Sequence, residues 1–137
     1  MTSTNPNKPA PAVWPCLSYQ DALAGIDFLK KAFGFEDTIV VTGDDGRDVQ
    51  HAELRWPEGG GIMLGSYRPG GGEFAERPVG TASIYVVTDQ PDALYERATG
   101  AGAAVVREMR DEDYGSRGFS VRDPEGNLWS FGTYRGE

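Results

Sequence analysis

The sequence is short of several things. It has one cysteine, Cys16, and one histidine, His51, in 137 residues. A single cysteine excludes an intrachain disulfide and fits a reducing compartment. A single histidine excludes a two-histidine, one-carboxylate iron site built within one chain. No apolar run approaches the roughly 18 residues a membrane-spanning helix needs, and the N-terminus lacks the apolar stretch of a signal peptide, so a cytoplasmic protein is expected. Basic residues are also scarce: 13 against 21 acidic ones, a formal net charge of −8. Nucleic acid and anionic membrane surfaces both demand basic patches, so neither is expected as a partner. The acidic balance suits a cationic ligand, or serves solubility alone.

What is present is globular. Hydrophobic residues make up 39% and aromatic residues 11%, enough for a core in a chain that buries about two-thirds of its unfolded surface. Nineteen glycines and nine prolines favour short strands joined by turns over a helical bundle. Residues 1–12 are polar, proline-rich and aperiodic, and read as a mobile arm.

Beyond the arm the chain runs twice through one plan. Arg55-Trp-Pro-Glu-Gly-Gly-Gly-Ile-Met-Leu-Gly-Ser-Tyr67 and Arg122-Asp-Pro-Glu-Gly-Asn-Leu-Trp-Ser-Phe-Gly-Thr-Tyr134 share Arg, Pro-Glu-Gly, Gly and Tyr in register, 67 residues apart. Each is a β-hairpin with Pro and Gly in its turn. Asp21 and Asp89 precede helical stretches that Gly34 and Gly102 end, here 68 apart. Leu23, Ile26, Leu29 and Phe33 form one apolar stripe, and Leu94, Tyr95 and Ala98 another. Thr88 or Asp89 is expected to cap the second helix, with Pro91 in its first turn. Strands are expected at 13–19, 38–42, 83–88 and 104–108. The reading is α+β: a β-α-β-β-β module over 13–67, a glycine-rich linker over 68–80, and a second module over 81–134.

These features resemble the glyoxalase/bleomycin-resistance/dioxygenase (vicinal oxygen chelate) superfamily. The segment Asp21-Ala-Leu-Ala-Gly-Ile-Asp-Phe-Leu-Lys-Lys-Ala-Phe-Gly-Phe35 is similar to the family's first helix. His51-Ala-Glu-Leu54 and Arg122-Asp-Pro-Glu-Gly-Asn-Leu-Trp-Ser-Phe131 look like the metal-poor branch of bleomycin-resistance-like and PhnB-like proteins. The resemblance implies two curled mixed sheets around a shared cavity. Metal-using members hold the ion at four strand positions, which map here to Trp14, Met63, Ala82 and Ser130. None is a usual ligand, so no metal and no other cofactor is expected.

With those four positions taken as inward, alternation turns Trp14, Cys16 and Ser18 into the cavity, with His51, Glu53, Arg55 and Met63. Ser120, Arg122 and Ser130 line the other side, and Ala82, Ile84 and Val86 add an apolar wall. Trp14 either fills the space of the absent metal or stacks on a ligand. His51 and Glu53 are a proton-transfer pair, a binding site for a cation, or a structural contact; Glu53 pairs equally well with Arg55. Cys16 reads as a small buried hydrophobe, Arg55 and Arg122 as hairpin supports, and Trp129 and Phe131 as core. In related proteins the loop equivalent to 111–117 lies at the cavity mouth, which makes Tyr114 and Arg117 ligand-contact candidates; the alternative is a solvated acidic turn. Gly70–Gly72 give the opposite rim the freedom a lid needs.

The expected function is metal-independent binding of a small aromatic or cationic molecule by a homodimer. The alternatives are a lyase, isomerase or dioxygenase-type enzyme acting on a small carbonyl compound, with His51 and Glu53 as acid and base, or an accessory domain with a vestigial cavity.

Overall fold

A computed structural model describes residues 11–137; most of the proline-rich arm, with Pro6 and Pro9, lies outside the described residues. Two four-stranded sheets carry one helix each. In the first, β1 (Cys16–Tyr19), β4 (Gly61–Ser66), β3 (Val49–Arg55) and β2 (Glu36–Thr42) lie side by side in that order. The second repeats the order with β5 (Ser83–Val87), β8 (Leu128–Gly132), β7 (Arg117–Arg122) and β6 (Ala104–Asp111). The first and last strands of each module are parallel and the other pairs antiparallel, so the sheets are mixed.

The first helix, α1 (Ala22–Phe28), begins where Asp21 accepts a hydrogen bond from the Ala24 amide at 3.2 Å, the usual N-cap economy. Gly25 sits against the Tyr19 ring so closely that a Cβ there would stand 2.7 Å from Cδ2. The helix then widens into a π-helical turn, Leu29–Phe33, and Gly34 ends it at φ 89°. The second helix, α2 (Pro91–Gly100), has Pro91 in its first turn and no such bulge. Its N-cap is Gln90, not Thr88 or Asp89; Thr88 stands two residues earlier and accepts the Gln90 amide at 3.0 Å.

The π turn explains a shift in the internal repeat. The N-caps Asp21 and Gln90 are 69 apart, whereas Gly34 and Gly102 are 68 apart. A π-bulge is a one-residue insertion into a helix, and the first module carries it.

Both helices and the inner faces of both sheets enclose one core. Phe33 lies 5.3 Å from the Trp129 ring and 4.7 Å from Phe131, and Phe35 lies 5.1 Å from Trp56. Leu29, Phe33, Leu54, Phe119, Trp129 and Phe131 are buried together. Trp129 and Phe131 are core residues as expected. The face of each sheet away from the helices is left for other work.

Candidate functional site

On the first sheet that open face is laid out in rows. Register pairs Ile39 with Glu53, Glu53 with Met63, and Met63 with Cys16. His51, two residues from Glu53, is on the same face, opposite Val41, and Ser18 is two residues from Cys16. Trp14 precedes β1 and lies against Gly61, where a Cβ would come within 2.8 Å of the indole. Its Nε1 donates to the Pro11 carbonyl at 3.2 Å. The Arg55 guanidinium lies 5.7 Å from the indole centroid, a cation–π arrangement. Arg55 therefore packs on Trp14 instead of supporting its turn, while Arg122 does support its own, donating to the Gly126 carbonyl at 2.7 Å.

His51 Nε2 and Glu53 Oε2 are 2.8 Å apart, both half-buried. Glu53 thus pairs with His51 and not with Arg55. His51 borders a cleft of about 250 Å³ whose walls also include Cys16, Ser18, Met63, Arg68, Phe74 and Arg77, with Glu53 hydrogen-bonded behind it. The linker supplies the far wall. It is drawn into a loop by Arg68 N–H to the Ala75 carbonyl, 2.8 Å, and Gly70 N–H to the Glu76 carboxylate, 2.8 Å. Phe74 stands 88% exposed at its tip, an unspent apolar surface beside the cleft.

Cys16 corrects its expectation: it is exposed. The residue at a strand start has no helix above it, and β1 is buried only from Leu17 onward.

A second correction concerns the second sheet. Ile84 and Val86 pair with the core residues Trp129 and Phe131, whereas Tyr85 pairs with Ser130. The open face therefore carries Ser83, Tyr85 and Val87 in place of Ala82, Ile84 and Val86. Met63 and Ser130 are 67 apart, yet their partners Cys16 and Tyr85 are 69 apart. Anchoring the first strand on Asp21 and Asp89, 68 apart, misses this offset, because the helix that Asp21 caps is answered by one that Gln90 caps, and a one-residue slip inverts every side chain of a strand.

The remaining candidates are distributed over the second module. Ser130 Oγ shares a 2.7 Å hydrogen bond with Ser120 Oγ. Arg117 donates to both Asp92 oxygens, at 3.1 and 2.8 Å, and to Asp111 at 3.2 Å. That contact holds the Asp92 carboxyl below its usual range. Tyr114 is 60% exposed, with its ring edge-on to Tyr134 at 5.6 Å. The structure thus brings His51 and Met63 into one cleft with Glu53 hydrogen-bonded to His51, sets Trp14 against Gly61 on the same sheet, and places Tyr114, Arg117 and Ser130 elsewhere.

Among the described residues no three His, Cys, Asp or Glu side chains converge. The positions a metal would use offer an indole, a thioether and hydroxyls, and the open faces add only one His–Glu pair and the Cys16 thiol. The residues present do not fit a divalent-metal site.

Sequence reasoning missed Phe74, Arg68 and Arg107. Phe74 stood in a stretch read only for its glycines; the signal was a lone aromatic in a polar loop. Arg107 is in β6, whose pairing with β7 has two irregularities, so alternation could not place it.

Comparison with known proteins places this architecture in a family. The model of the Glyoxalase/Bleomycin resistance protein/Dioxygenase superfamily matches residues 13–131. Uncharacterized protein Rv0887c of Mycobacterium tuberculosis is 37% identical over 127 residues, covering 89% of this chain and 74% of the relative. Among solved structures, TioX from Micromonospora sp. ML1 is 27% identical with a TM-score of 0.75, covering 90% of this chain and 100% of that one. A glyoxalase/bleomycin resistance protein from Catenulispora acidiphila shares the fold at 19% identity and a TM-score of 0.64, covering 90% and 97% of the two chains.

Proposed function

We propose that this chain, which belongs to the Glyoxalase/Bleomycin resistance protein/Dioxygenase superfamily, binds and sequesters a small aromatic cation without a metal. The observation that carries the reading is the cleft on the first sheet. His51, whose Nε2 lies 2.8 Å from the half-buried Glu53 carboxylate, stands beside the Met63 thioether in a cleft of about 250 Å³ bordered by the exposed Phe74 ring. Ligand sites commonly combine an apolar wall with one or two oriented polar groups. A carboxylate next to aromatic and thioether surface suits a delocalised cation.

The working unit is a homodimer. Ile39, Val40 and Val41 of β2 and Val105 and Val106 of β6 are exposed, and apolar residues grouped on outer strands support burial against a second copy. Light scattering is expected to give twice the chain mass; a monomer at high concentration rejects the dimer.

The binding test is the thermal midpoint with benzamidinium and larger aromatic cations, since a ligand specific to the native state must raise it. A concentration-dependent rise that Glu53→Gln diminishes is expected, with no effect of EDTA. No rise with any aromatic cation sinks the reading. So does stabilisation by Zn²⁺, Ni²⁺ or Mn²⁺ that EDTA reverses.

A further inference from the structure

The open face of the second sheet carries a row with the opposite chemistry. One residue from each strand contributes: Arg107 of β6 pairs with Ser120 of β7, Ser120 with Ser130 of β8, and Ser130 with Tyr85 of β5. The corresponding row of the first sheet is Ile39, Glu53, Met63 and Cys16. A carboxylate and a thioether in one module are answered by a guanidinium and two hydroxyls in the other.

Three features of this row go beyond its composition. The Arg107 Nε is shielded from solvent and has no hydrogen-bond partner. Buried donors are almost always paired, so an orphaned one calls for a reason. Glu112, the acid whose carboxyl the Arg107 charge acts on, is itself hydrogen-bonded by Arg110, which contacts both of its carboxylate oxygens. Second, the two serine hydroxyls share one 2.7 Å hydrogen bond. That bond uses one of their two protons, so the other is free to donate outward. Third, Tyr85 donates its own proton to the Tyr134 carbonyl at 2.6 Å, while its ring remains 48% exposed beside Ser130.

The unspent hydrogen-bonding capacity is thus donor in character, with a fixed positive charge and an aromatic wall. We infer that the row Arg107–Ser120–Ser130–Tyr85 is a binding site for the oxyanion of a small aromatic acid, a carboxylate or phosphonate, separate from the cleft at His51 and Glu53. The planar guanidinium receives the two oxygens, a geometry for which arginine is the preferred residue. The serine hydroxyl donates to one of them, and the ligand ring lies along Tyr85.

The experiment is calorimetric titration of the full chain with benzoate, phenylphosphonate and neutral benzamide. Both anions are expected to bind and benzamide not to. Phenylphosphonate binding more tightly than benzoate assigns the site to phosphoryl groups, and the reverse order to carboxylates. Arg107→Met keeps the apolar stem and is expected to weaken anion binding by at least about tenfold, as for the loss of a charge-assisted contact. Arg107→Lys recovers only part. Unliganded Arg107→Met melts no lower than the parent, because the lost donor had no partner. Benzamidinium binding at the first cleft stays unchanged in both variants, so failure of one site is distinguishable from failure of the other. Benzoate binding no tighter than benzamide, undiminished anion binding by Arg107→Met, or a lower melting midpoint of that variant overturns the assignment.

Discussion

The two Pro-Glu-Gly turns are built alike and anchored differently. Trp56 N–H bonds to the Gly60 carbonyl and Gly59 N–H back to Trp56; Asp123 N–H bonds to the Asn127 carbonyl and Gly126 N–H back to Asp123, all at 2.9–3.0 Å. The residue that opens each turn then reaches into the opposite module. Trp56 does so as a hydrophobe, packing on Phe35 and Phe131 and spending its one donor on the Val87 carbonyl at 3.0 Å. Asp123 does so as a buried carboxylate. It accepts from Tyr19 Oη at 2.7 Å, Trp129 Nε1 at 3.1 Å, Asn127 Nδ2 at 3.0 Å, and the amides of Glu125 and Asn127. A duplicated turn fixes where its first residue points, and leaves open whether that residue joins the modules by apolar area or by polar saturation.

The two solutions fail differently when broken. Removing Asp123 leaves the Tyr19, Asn127 and Trp129 donors buried without a partner, and each such orphan costs about 1–3 kcal/mol. Asp123→Ala is therefore expected to lose at least about 3 kcal/mol in urea unfolding. Trp56→Phe loses one hydrogen bond and a little volume, and is expected to cost about 1–2 kcal/mol. Equal losses would mean that the carboxylate is no more of a hub than the indole.

The same asymmetry makes one module sensitive to alkali. Burial, and then the neighbouring Asp123 charge, push the Tyr19 phenol above its ordinary value of 10.0. The unfolded chain releases this proton at the ordinary value while the folded chain keeps it. Stability from this group is thus present below pH 10 and lost as pH rises beyond it, at up to about 1.4 kcal/mol per pH unit. Tyr19→Phe is expected to cost about 1 kcal/mol at pH 7 and to flatten the decline between pH 10 and 11. The matching position in the second module is Thr88, buried and not titratable in this range; Thr88→Val leaves the alkaline slope alone. A parallel fall in the parent and Tyr19→Phe would show that other groups set that limit.

The repeated hairpins, the glycine that ends each helix and the aromatic core were legible because turn chemistry and apolar spacing are local. The polar hub was not. Arg55-Trp-Pro-Glu-Gly and Arg122-Asp-Pro-Glu-Gly differ at one position, and nothing local says that Asp123 will meet Tyr19, 104 residues away. The inward faces of β5 were misplaced for a related reason. A π turn leaves the apolar stripe of α1 intact, so the extra residue is invisible in the pattern yet reverses the strand on the other side of it. On the first sheet the face of Glu53 and Met63 was legible because β3 and β4 pair without irregularity between Arg55 and Ala52, and His51 follows by alternation from Glu53. Arg107 was hidden by the two irregularities of its own strand.

The smallest effect expected is at the glutamates of the two turns. Glu125 accepts the Gln20 and Asp21 amides, at 2.6 and 2.8 Å, just ahead of α1; Glu58 accepts the Asp89 amide alone, at 2.8 Å, ahead of α2. Each caps the other module's helix entry, where a negative charge is favoured by about 0.3–1 kcal/mol. Glutamine retains one accepting oxygen but no charge, so a single amide can still be met and a pair cannot. Glu125→Gln is therefore expected to cost about 1 kcal/mol and Glu58→Gln a few tenths at most, in urea unfolding at low salt. Raising the ionic strength should shrink the part that is charge and leave the part that is hydrogen-bond count. If the gap between the two variants vanishes in 1 M salt, the turns differ by field alone; if it persists, the second amide is what separates them.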